Sequence, residues 1–160
     1  MYEFAPAADA AKPDLYRDLL SAADALTAGE PDGVANMANL AALIWQFVPR
    51  LNWAGFYRAQ GEELVLGPFV GKPACIRISV GQGVCGAAAA SGETQLVPDV
   101  QAFPGHIACD AASRSELVVP VVRRGSVVAV IDLDSPERAR FDADDAAGIE
   151  ALAKLIAARI

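Results

Sequence analysis

Residues 115–134 read SELVVPVVRRGSVVAVIDLD, two apolar runs joined by a short polar segment that contains a glycine. Runs of valine, isoleucine and leucine on either side of turn residues are typical of β-strands. The stretch therefore predicts an antiparallel hairpin, with a three-residue loop over residues 124–126 as its turn. In that register Arg123 pairs with Val127 and Glu116 lies opposite Asp134, whereas a two-residue turn would place Glu116 on the other face.

The second strand of this hairpin ends in two acids. Asp132 and Asp134 are two residues apart after the apolar run VVAVI, so their side chains share one face of the sheet. If Glu116 joins them, three carboxyl groups in one place cannot all ionise cheaply, and at least one should have a raised pKa. Such a group can donate a proton. The alternative for an aspartate pair at a strand end is turn capping or a solvated hairpin tip.

The chain before this hairpin predicts two helices and four further strands. Leucines recur with a helical period over residues 13–27, and a second apolar stripe with that period runs from residue 31 to about residue 48. These two helices should pack together. A short helix is expected in the small-residue segment GVCGAAAASG, ended by Gly92. The four strands have the sequences NWAGFYRA, EELVLGPF, IRISV and TQLV, and the first two form a hairpin with its turn at Gln60 and Gly61.

The chain after the hairpin predicts a final helix. Asp142 is a suitable cap, with acids in the first turn and basic residues toward the end, as the helix dipole favours. The fold class is therefore α+β, with an antiparallel sheet of about six strands. The terminal helices should cover one face of the sheet, and central loops, including residues 98–112, should cover the other. Periodicity does not give the order of the strands.

Composition limits the classes of function. The chain has 160 residues, 54% of them hydrophobic and 21% charged, which fits one compact domain. The net charge of -7 and the lack of a basic run argue against nucleic acid or an anionic membrane as a partner. The first residues, MYEFAPAADAAKPD, do not resemble a signal peptide, and no apolar run reaches 18 residues. We therefore expect a cytoplasmic protein.

All the cysteines lie in the glycine-rich middle third of the chain, at Cys75, Cys85 and Cys109. In the cytoplasm such a group is more typical of catalysis, redox sensing or metal binding than of a structural disulfide framework. Each cysteine is also compatible with a buried, small apolar role. The single histidine, His106, lies three residues before Cys109. It suits either lowering the pKa of that thiol or a solvated position in the loop.

Five segments carry a resemblance to a known family. NWAGFY, ELVLGPFVGKPACIRI, GVCGAAA, FPGHIACDAASRSELVVPV and VIDLDSP, in that order and spacing, resemble the free methionine-(R)-sulfoxide reductases, which are built on the GAF fold. The resemblance covers roughly residues 20 to 158. It implies a single GAF domain over residues 1–160, with about 12 N-terminal residues as a loose extension. It also implies a cytoplasmic homodimer without a bound cofactor.

The resemblance further implies an activity, the reduction of free L-methionine-(R)-sulfoxide to L-methionine. In this chemistry a thiolate attacks the sulfoxide sulfur and ends as a sulfenic acid, and a second thiol condenses with it. Thioredoxin then reduces the intramolecular disulfide. By the family pattern Cys109 is the nucleophile and Cys75 the resolving thiol, while Cys85 is a third catalytic cysteine whose role stays open.

The substrate is a zwitterion with a polar S=O group, so its site needs carboxylates for the ammonium and a proton source for the oxygen. The family pattern matches Glu116, Asp132 and Asp134 as these acids, with Glu116 and Asp134 catalytic as well as substrate-binding. It matches Trp53 as an aromatic wall beside the methyl-sulfur end, and Tyr57, four residues on, should lie on the same strand face. Without the family pattern, Trp53 would be interpreted as core, and Tyr57 is the weaker candidate for substrate binding.

Two other classes of function are compatible with parts of the sequence. A GAF domain also serves as a non-catalytic sensor of small ligands, although no linker or output domain is recognisable in this chain. The other class is a zinc site formed by the three cysteines and His106. Because the chain has no CxxC pair and such a site would leave no free nucleophile, we expect no metal there.

Overall fold

Six strands form one antiparallel sheet in the computed structural model, which describes residues 4–6, 9–107 and 110–160. The strands are β1 (Trp53–Gln60), β2 (Glu63–Gly71), β3 (Arg77–Ser79), β4 (Gln95–Val97), β5 (Ser115–Arg123) and β6 (Ser126–Ser135). Their order across the sheet is β3-β2-β1-β6-β5-β4. The central pair, β1 and β6, is far apart in the chain, and this pairing is the part of the topology that periodicity could not give.

Helices are found where the sequence predicts them, and their ends follow the local chemistry. The Asp32 side chain accepts from the Ala35 amide at the start of the second helix, and Asp142 forms a capping box with Asp145 at the start of the last. Gly92 ends the third helix in the left-handed conformation, with a φ of 69°. In the part of the chain that the structure describes, no helix is long and apolar enough to span a membrane. The helices are α1 (Lys12–Thr27), α2 (Gly33–Phe47), α3 (Gly83–Ser91) and α4 (Ala143–Ile156), with a 3-10 turn at Val100–Ala102.

The two faces of the sheet carry separate apolar cores. One core joins α1, α2 and α4 to strand residues such as Phe56 and Ile131, both fully buried. The other core lies beneath α3 and includes Tyr57 and Val130. This arrangement confirms the predicted α+β fold, with the terminal helices on one face and the central segments on the other. Leu133, between Asp132 and Asp134, points into the first core. Because side chains alternate along a strand, Asp132 and Asp134 lie on the second face, and so does Glu116, which pairs with Asp134.

The hairpin of β5 and β6 has the predicted register near the pocket, but its turn differs from the prediction. Its turn has two residues, Arg124 and Gly125, both with positive φ, so Arg123 pairs with Ser126 and the predicted three-residue loop is wrong. A β-bulge then corrects the register, because Val122 pairs with Val127 but Val121 pairs with Ala129, which leaves Val128 as the extra residue. Beyond the bulge Glu116 lies opposite Asp134, as predicted.

The first hairpin differs from its prediction by one residue. Gln60 pairs with Glu63, so the turn consists of Gly61 and Glu62 rather than Gln60 and Gly61. Gly61 has a φ of 64°, a left-handed conformation that glycine adopts at low cost. The shift changes no face assignment of Trp53 or Tyr57, which both belong to the core beneath α3.

Candidate active site

Three neighbouring strands bring an aromatic ring and two acids into one row. Trp53 on β1 pairs with Asp134 on β6, which pairs with Glu116 on β5. Asp132 lies two residues earlier on β6, opposite Gly55 of β1. All three acids and Trp53 line the same pocket, which opens between the sheet and the loops above it. The predicted meeting of the acids is thus present in the structure.

The pocket brings together most of the predicted site residues. Its lining includes Trp53, Tyr57, Cys85 and the three acids, but not Cys75. The chain around Cys75 is nevertheless adjacent, because Pro73 and Ala74 line the pocket and the Tyr57 hydroxyl donates to the Cys75 carbonyl oxygen at 3.0 Å. Cys75 is partly exposed and takes part in a disulfide bond. The predicted nucleophile, Cys109, lies outside the described residues.

Two of the acids are buried and the third, Asp134, is partly buried, and none has a lysine or arginine partner in the described part of the chain. Glu116 and Asp132 are each only 6% exposed, and no lysine or arginine among the described residues forms an ion pair with any of the three acids. Burial, with the neighbouring carboxyls next in importance, raises the pKa of Glu116 well above its usual range and likewise that of Asp134. Burial raises the pKa of Asp132 to about 7, although contacts with Cys85 and Glu116 oppose the rise. The site can therefore hold a carboxylic acid and a carboxylate side by side near neutral pH.

Cys85 is a free thiol at the base of this acid cluster. It is 4% exposed, and its Sγ lies 4.0 Å from Oε1 of Glu116. Burial first, and then the charges of Asp132 and Glu116, raise the pKa of the Cys85 thiol. A thiol kept protonated in this way is a poor nucleophile. Its position on α3 is explained by the small residues of that helix, since a Cβ on Gly86 would meet the Ser79 carbonyl oxygen.

The aromatic wall is a stack of three rings. Trp53 stacks on Tyr57 at a centroid distance of 5.9 Å and on Phe69 at 5.2 Å. The indole Nε1 donates to the Lys72 carbonyl oxygen at 3.1 Å, which holds the ring plane in place. Gly55 leaves the space that the Trp53 ring needs, because a Cβ there would lie 2.7 Å from Cη2 of Trp53. The pocket wall therefore depends on a glycine in a strand interior.

Gly55→Ala should displace this wall. The added methyl group would lie 2.8 Å from the Phe69 Cα as well as against the Trp53 ring, so backbone or ring must shift. We expect a loss of about 1–3 kcal/mol in the free energy of unfolding and a lower kcat/KM. Denaturant unfolding and indole fluorescence measure both the loss and the ring's displacement. Ala59→Ser on the outer part of the same strand is the control, and an unchanged fluorescence spectrum of Gly55→Ala would contradict the prediction.

A hydrogen-bonded cluster of Asn52, Lys72, Asp110 and Ser113 lies beside the pocket, and nothing in the sequence indicates it. The Asn52 amide donates to Oδ2 of Asp110 at 3.2 Å and to Oγ of Ser113 at 3.0 Å, while Lys72 Nζ lies 3.4 Å from Oδ1 of Asp110. The Ala112 amide also donates to Asp110, and this bond is the main cause of the lowered pKa of its carboxyl. Asp110, which directly follows Cys109 in the sequence, is therefore held by three donor groups.

Asn52→Ala should therefore impair catalysis more than stability. It removes both hydrogen bonds that the Asn52 amide donates, to Asp110 and to Ser113, and a displacement of about 1 Å in an active site commonly costs a factor of about 10 to 100 in rate. We expect kcat/KM to fall within that range, with a small change in Tm. Lys72→Met is the matched control, because the Lys72 side chain is 70% exposed and its ion pair with Asp110 contributes little. Equal losses in the two variants would contradict a specific role of Asn52.

His106 is the other site residue whose position the sequence left open. Its side chain is 17% exposed, lines the pocket, and places Nε2 3.9 Å from Oε2 of Glu116. Burial lowers the pKa of His106, which favours the neutral imidazole. The side chain is thus partly buried in the pocket rather than fully solvated in the loop. A lone histidine in a loop carries no pattern that could have indicated its contact with a strand residue.

Comparison with known proteins gives consistent matches. The family model for the GAF domain matches residues 34–160. The free methionine-R-sulfoxide reductase of Escherichia coli is 48% identical over 141 residues, covering 88% of this chain and 86% of its own length. The Saccharomyces cerevisiae protein of the same name is 46% identical over 153 residues, or 91% and 85% of the two chains. The X-ray structure of the Neisseria meningitidis free methionine-R-sulfoxide reductase in complex with its substrate is 44% identical, with a TM-score of 0.95 over 99% of this chain and 95% of its own.

Proposed function

Because this chain belongs to the GAF domain family and is an oxidoreductase, a free methionine-R-sulfoxide reductase, we propose that its acid pocket binds and reduces free L-methionine-(R)-sulfoxide. The fold and the enzyme class predicted from the sequence are thereby confirmed. The observation that carries the proposal for the pocket is the row of Glu116, Asp134 and Trp53. It offers acids to an ammonium and an aromatic face to a methyl-sulfur group within one cavity.

The proposed reaction uses Cys109 as the nucleophile. Its thiolate attacks the sulfoxide sulfur, and the net result is methionine and a sulfenic acid on Cys109, so the oxygen passes from substrate to cysteine. The Cys75 thiol then attacks the sulfenic sulfur, which forms a disulfide and releases water. Thioredoxin, a dithiol, reduces this disulfide and returns both thiols. The partly exposed Cys75, its participation in a disulfide and its place beside the pocket support this role.

The three acids have two roles in the proposed reaction, proton donation and binding of the substrate's ammonium. Glu116 donates a proton to the sulfoxide oxygen, because burial and the neighbouring carboxyls raise its pKa and so favour its protonated form. Asp132 and Asp134 accept from the substrate's ammonium, which supplies the cation that the buried pair lacks. Trp53 covers the methyl-sulfur end, and Tyr57 supports it by stacking and by its bond to the Cys75 carbonyl. Cys85 is too deeply buried and too weakly acidic to start the reaction, so we assign it an auxiliary part in the thiol chemistry.

We also propose a domain organisation, an oligomeric state and a location for this protein. The proposal is one GAF domain over residues 1–160 with an N-terminal extension before α1, a cytoplasmic homodimer, and no bound cofactor, since the cysteines carry the electrons. Cytoplasmic thioredoxin fits the need for an external dithiol. Two large apolar side chains of α2, Val34 and Trp45, are exposed and support a contact between subunits.

One assay tests the function directly. The reduced protein is incubated with NADPH, thioredoxin and thioredoxin reductase, and with one of three substrates: free L-methionine-(R)-sulfoxide, its S epimer or a peptide containing methionine sulfoxide. We expect NADPH consumption with the free R epimer only. Consumption with the S epimer or the peptide would reject the proposed specificity. Binding of the R epimer without turnover would instead indicate a sensor domain.

A further inference from the structure

The base of the acid pocket holds a set of metal-ligating atoms that the proposed reaction does not explain as a group. One ligand atom each from Cys85, Glu116 and Asp132 lies within 4.8 Å of the other two, and all three residues are buried. His106 Nε2 lies 3.9 Å from the second oxygen of Glu116. A thiol, two carboxyl groups and an imidazole are together the donor types that bind zinc.

A second observation points to a missing cation at this place. Asp132 is only 6% exposed, and its Oδ1 is fully buried without a hydrogen-bond partner among the described residues. Unpaired buried oxygens are costly, and buried carboxylates are ordinarily paired with cations or metals. Among the described residues, Glu116 has only His106 as an ion-pair partner, and Asp132 has no ion-pair partner although it contacts Cys85 and Glu116. A divalent cation would satisfy the free oxygen and neutralise the cluster.

The geometry suits a small tetrahedral ion. Zinc lies about 2.3 Å from sulfur and about 2.0–2.2 Å from oxygen, so the ligand atoms around one ion are about 3.3–3.7 Å apart. Cys85 Sγ and Glu116 Oε1 are 4.0 Å apart, and small side-chain rotations would close the set around an ion. This set differs from a site of three cysteines, because it leaves Cys75 and Cys109 outside the coordination shell.

We propose that Cys85, Glu116 and Asp132, with His106 as a fourth ligand, form a binding site for Zn²⁺ or a cation of similar softness. The bound ion occupies the two acids that would otherwise meet the substrate, so it inhibits the reductase by competing with methionine sulfoxide. The inhibition rests on the function proposed above, whereas the binding does not.

The binding is tested with Co²⁺, whose bond to a thiolate gives an ultraviolet charge-transfer band. The Cys75→Ser/Cys109→Ser variant keeps Cys85 as its single cysteine. We expect the band on anaerobic Co²⁺ titration of this reduced variant, and we expect Zn²⁺ to bleach it by displacement. The triple variant that also carries Cys85→Ser should lack the band. No band in a double variant with the circular dichroism of the wild type would overturn the proposal.

The carboxyl ligands need their own comparison. Adding Glu116→Gln or Asp132→Asn to the double variant should weaken Co²⁺ binding at least about tenfold. Glu62→Gln, on the exposed tip of the first hairpin, is the matched control and should leave the affinity unchanged. If the three substitutions act alike, the ion binds elsewhere and the assignment fails.

A measurement on the unaltered cysteines covers the case in which the double variant does not fold. Zn²⁺ should raise the Tm of the reduced wild-type protein more than that of Cys85→Ser, because a ligand of the native state stabilises it. Equal shifts would overturn the site. In the activity assay, Zn²⁺ should raise KM for methionine sulfoxide with little change in kcat. Metal binding without any reductase activity would refute the proposed function and the inhibition but leave the metal site standing.

Discussion

Cys109→Ser is expected to abolish turnover of free methionine-(R)-sulfoxide, whereas Cys75→Ser should still release about one methionine per active site. The difference follows from the order of the chemistry. The nucleophile takes the oxygen, and only afterwards does the resolving thiol remove the sulfenic acid. Rapid-quench measurement of methionine gives the single-turnover yield, and a dimedone adduct on Cys109, detected by mass spectrometry, identifies the trapped intermediate.

Cys85→Ser is the control for these two variants. Because the Cys85 thiol is buried and its pKa is raised, this variant should keep the first turnover and form a disulfide at Cys75. A full first turnover in Cys109→Ser, together with none in Cys75→Ser, would exchange the two assignments. Loss of the first turnover in Cys85→Ser alone would make the buried thiol the nucleophile.

Asp132→Asn should change activity and stability in opposite directions. The amide keeps the shape of the side chain but removes the charge that accepts from the substrate's ammonium. Losing a hydrogen bond to a charged group costs about 1.5–3 kcal/mol, so kcat/KM should fall by a factor of about 10 to 150, mainly through KM. The same substitution removes a buried carboxyl whose ionisation opposes folding, so the variant should be the more stable protein above neutral pH.

The sign of the stability effect follows from the pKa of Asp132. Burial raises it from 3.8 to about 7, so between these values the unfolded chain loses the proton while the folded protein keeps it. The free energy of unfolding therefore falls as pH rises from about 4 to about 7, and the loss is complete above that window. The full shift corresponds to about 4 kcal/mol, so Asp132→Asn should gain about 2–4 kcal/mol at pH 8 and little at pH 4.

Urea unfolding of both proteins across this pH range measures the effect. Glu62→Gln is again the control, since this exposed acid at the hairpin tip should change neither activity nor the slope of stability against pH. A constant difference between Asp132→Asn and the wild type from pH 4 to pH 8 would show that folding does not change the pKa of Asp132, and it would contradict this prediction.

Local chemistry made much of the fold predictable. Helix starts at Asp32 and Asp142 and the helix end at Gly92 follow from side chains within a few residues, so the sequence indicates them directly. The pairing of β1 with β6 depends on contacts between segments about 75 residues apart, and no local pattern encodes it. The bulge at Val128 was also hidden, because a run of valines carries no signal for which residue is left unpaired.

The candidate site also contains residues that local sequence patterns predict and residues that they do not. Asp132 and Asp134 could be placed on one face because a strand has a period of two, and Glu116 joined them once the register was known. Asn52 and His106 escaped prediction because their partners, Asp110 and Glu116, belong to other segments and nothing in their neighbourhood marks the contact. The contacts that polar loop residues make in a pocket are thus the part that only a three-dimensional structure reveals.

The bulge at Val128 separates the tip of the second hairpin from the pocket in a way that is useful for engineering. On the pocket side, Asp132 and Asp134 are held by β1 as well as by β5, so their alignment does not rely on the turn. On the tip side, Val122, Arg123 and Arg124 are exposed. An irregular residue between the two halves can absorb a change of register at the tip. Arg124 and Gly125 are accordingly the position at which an epitope or a fluorescent reporter can be inserted while the acids stay aligned.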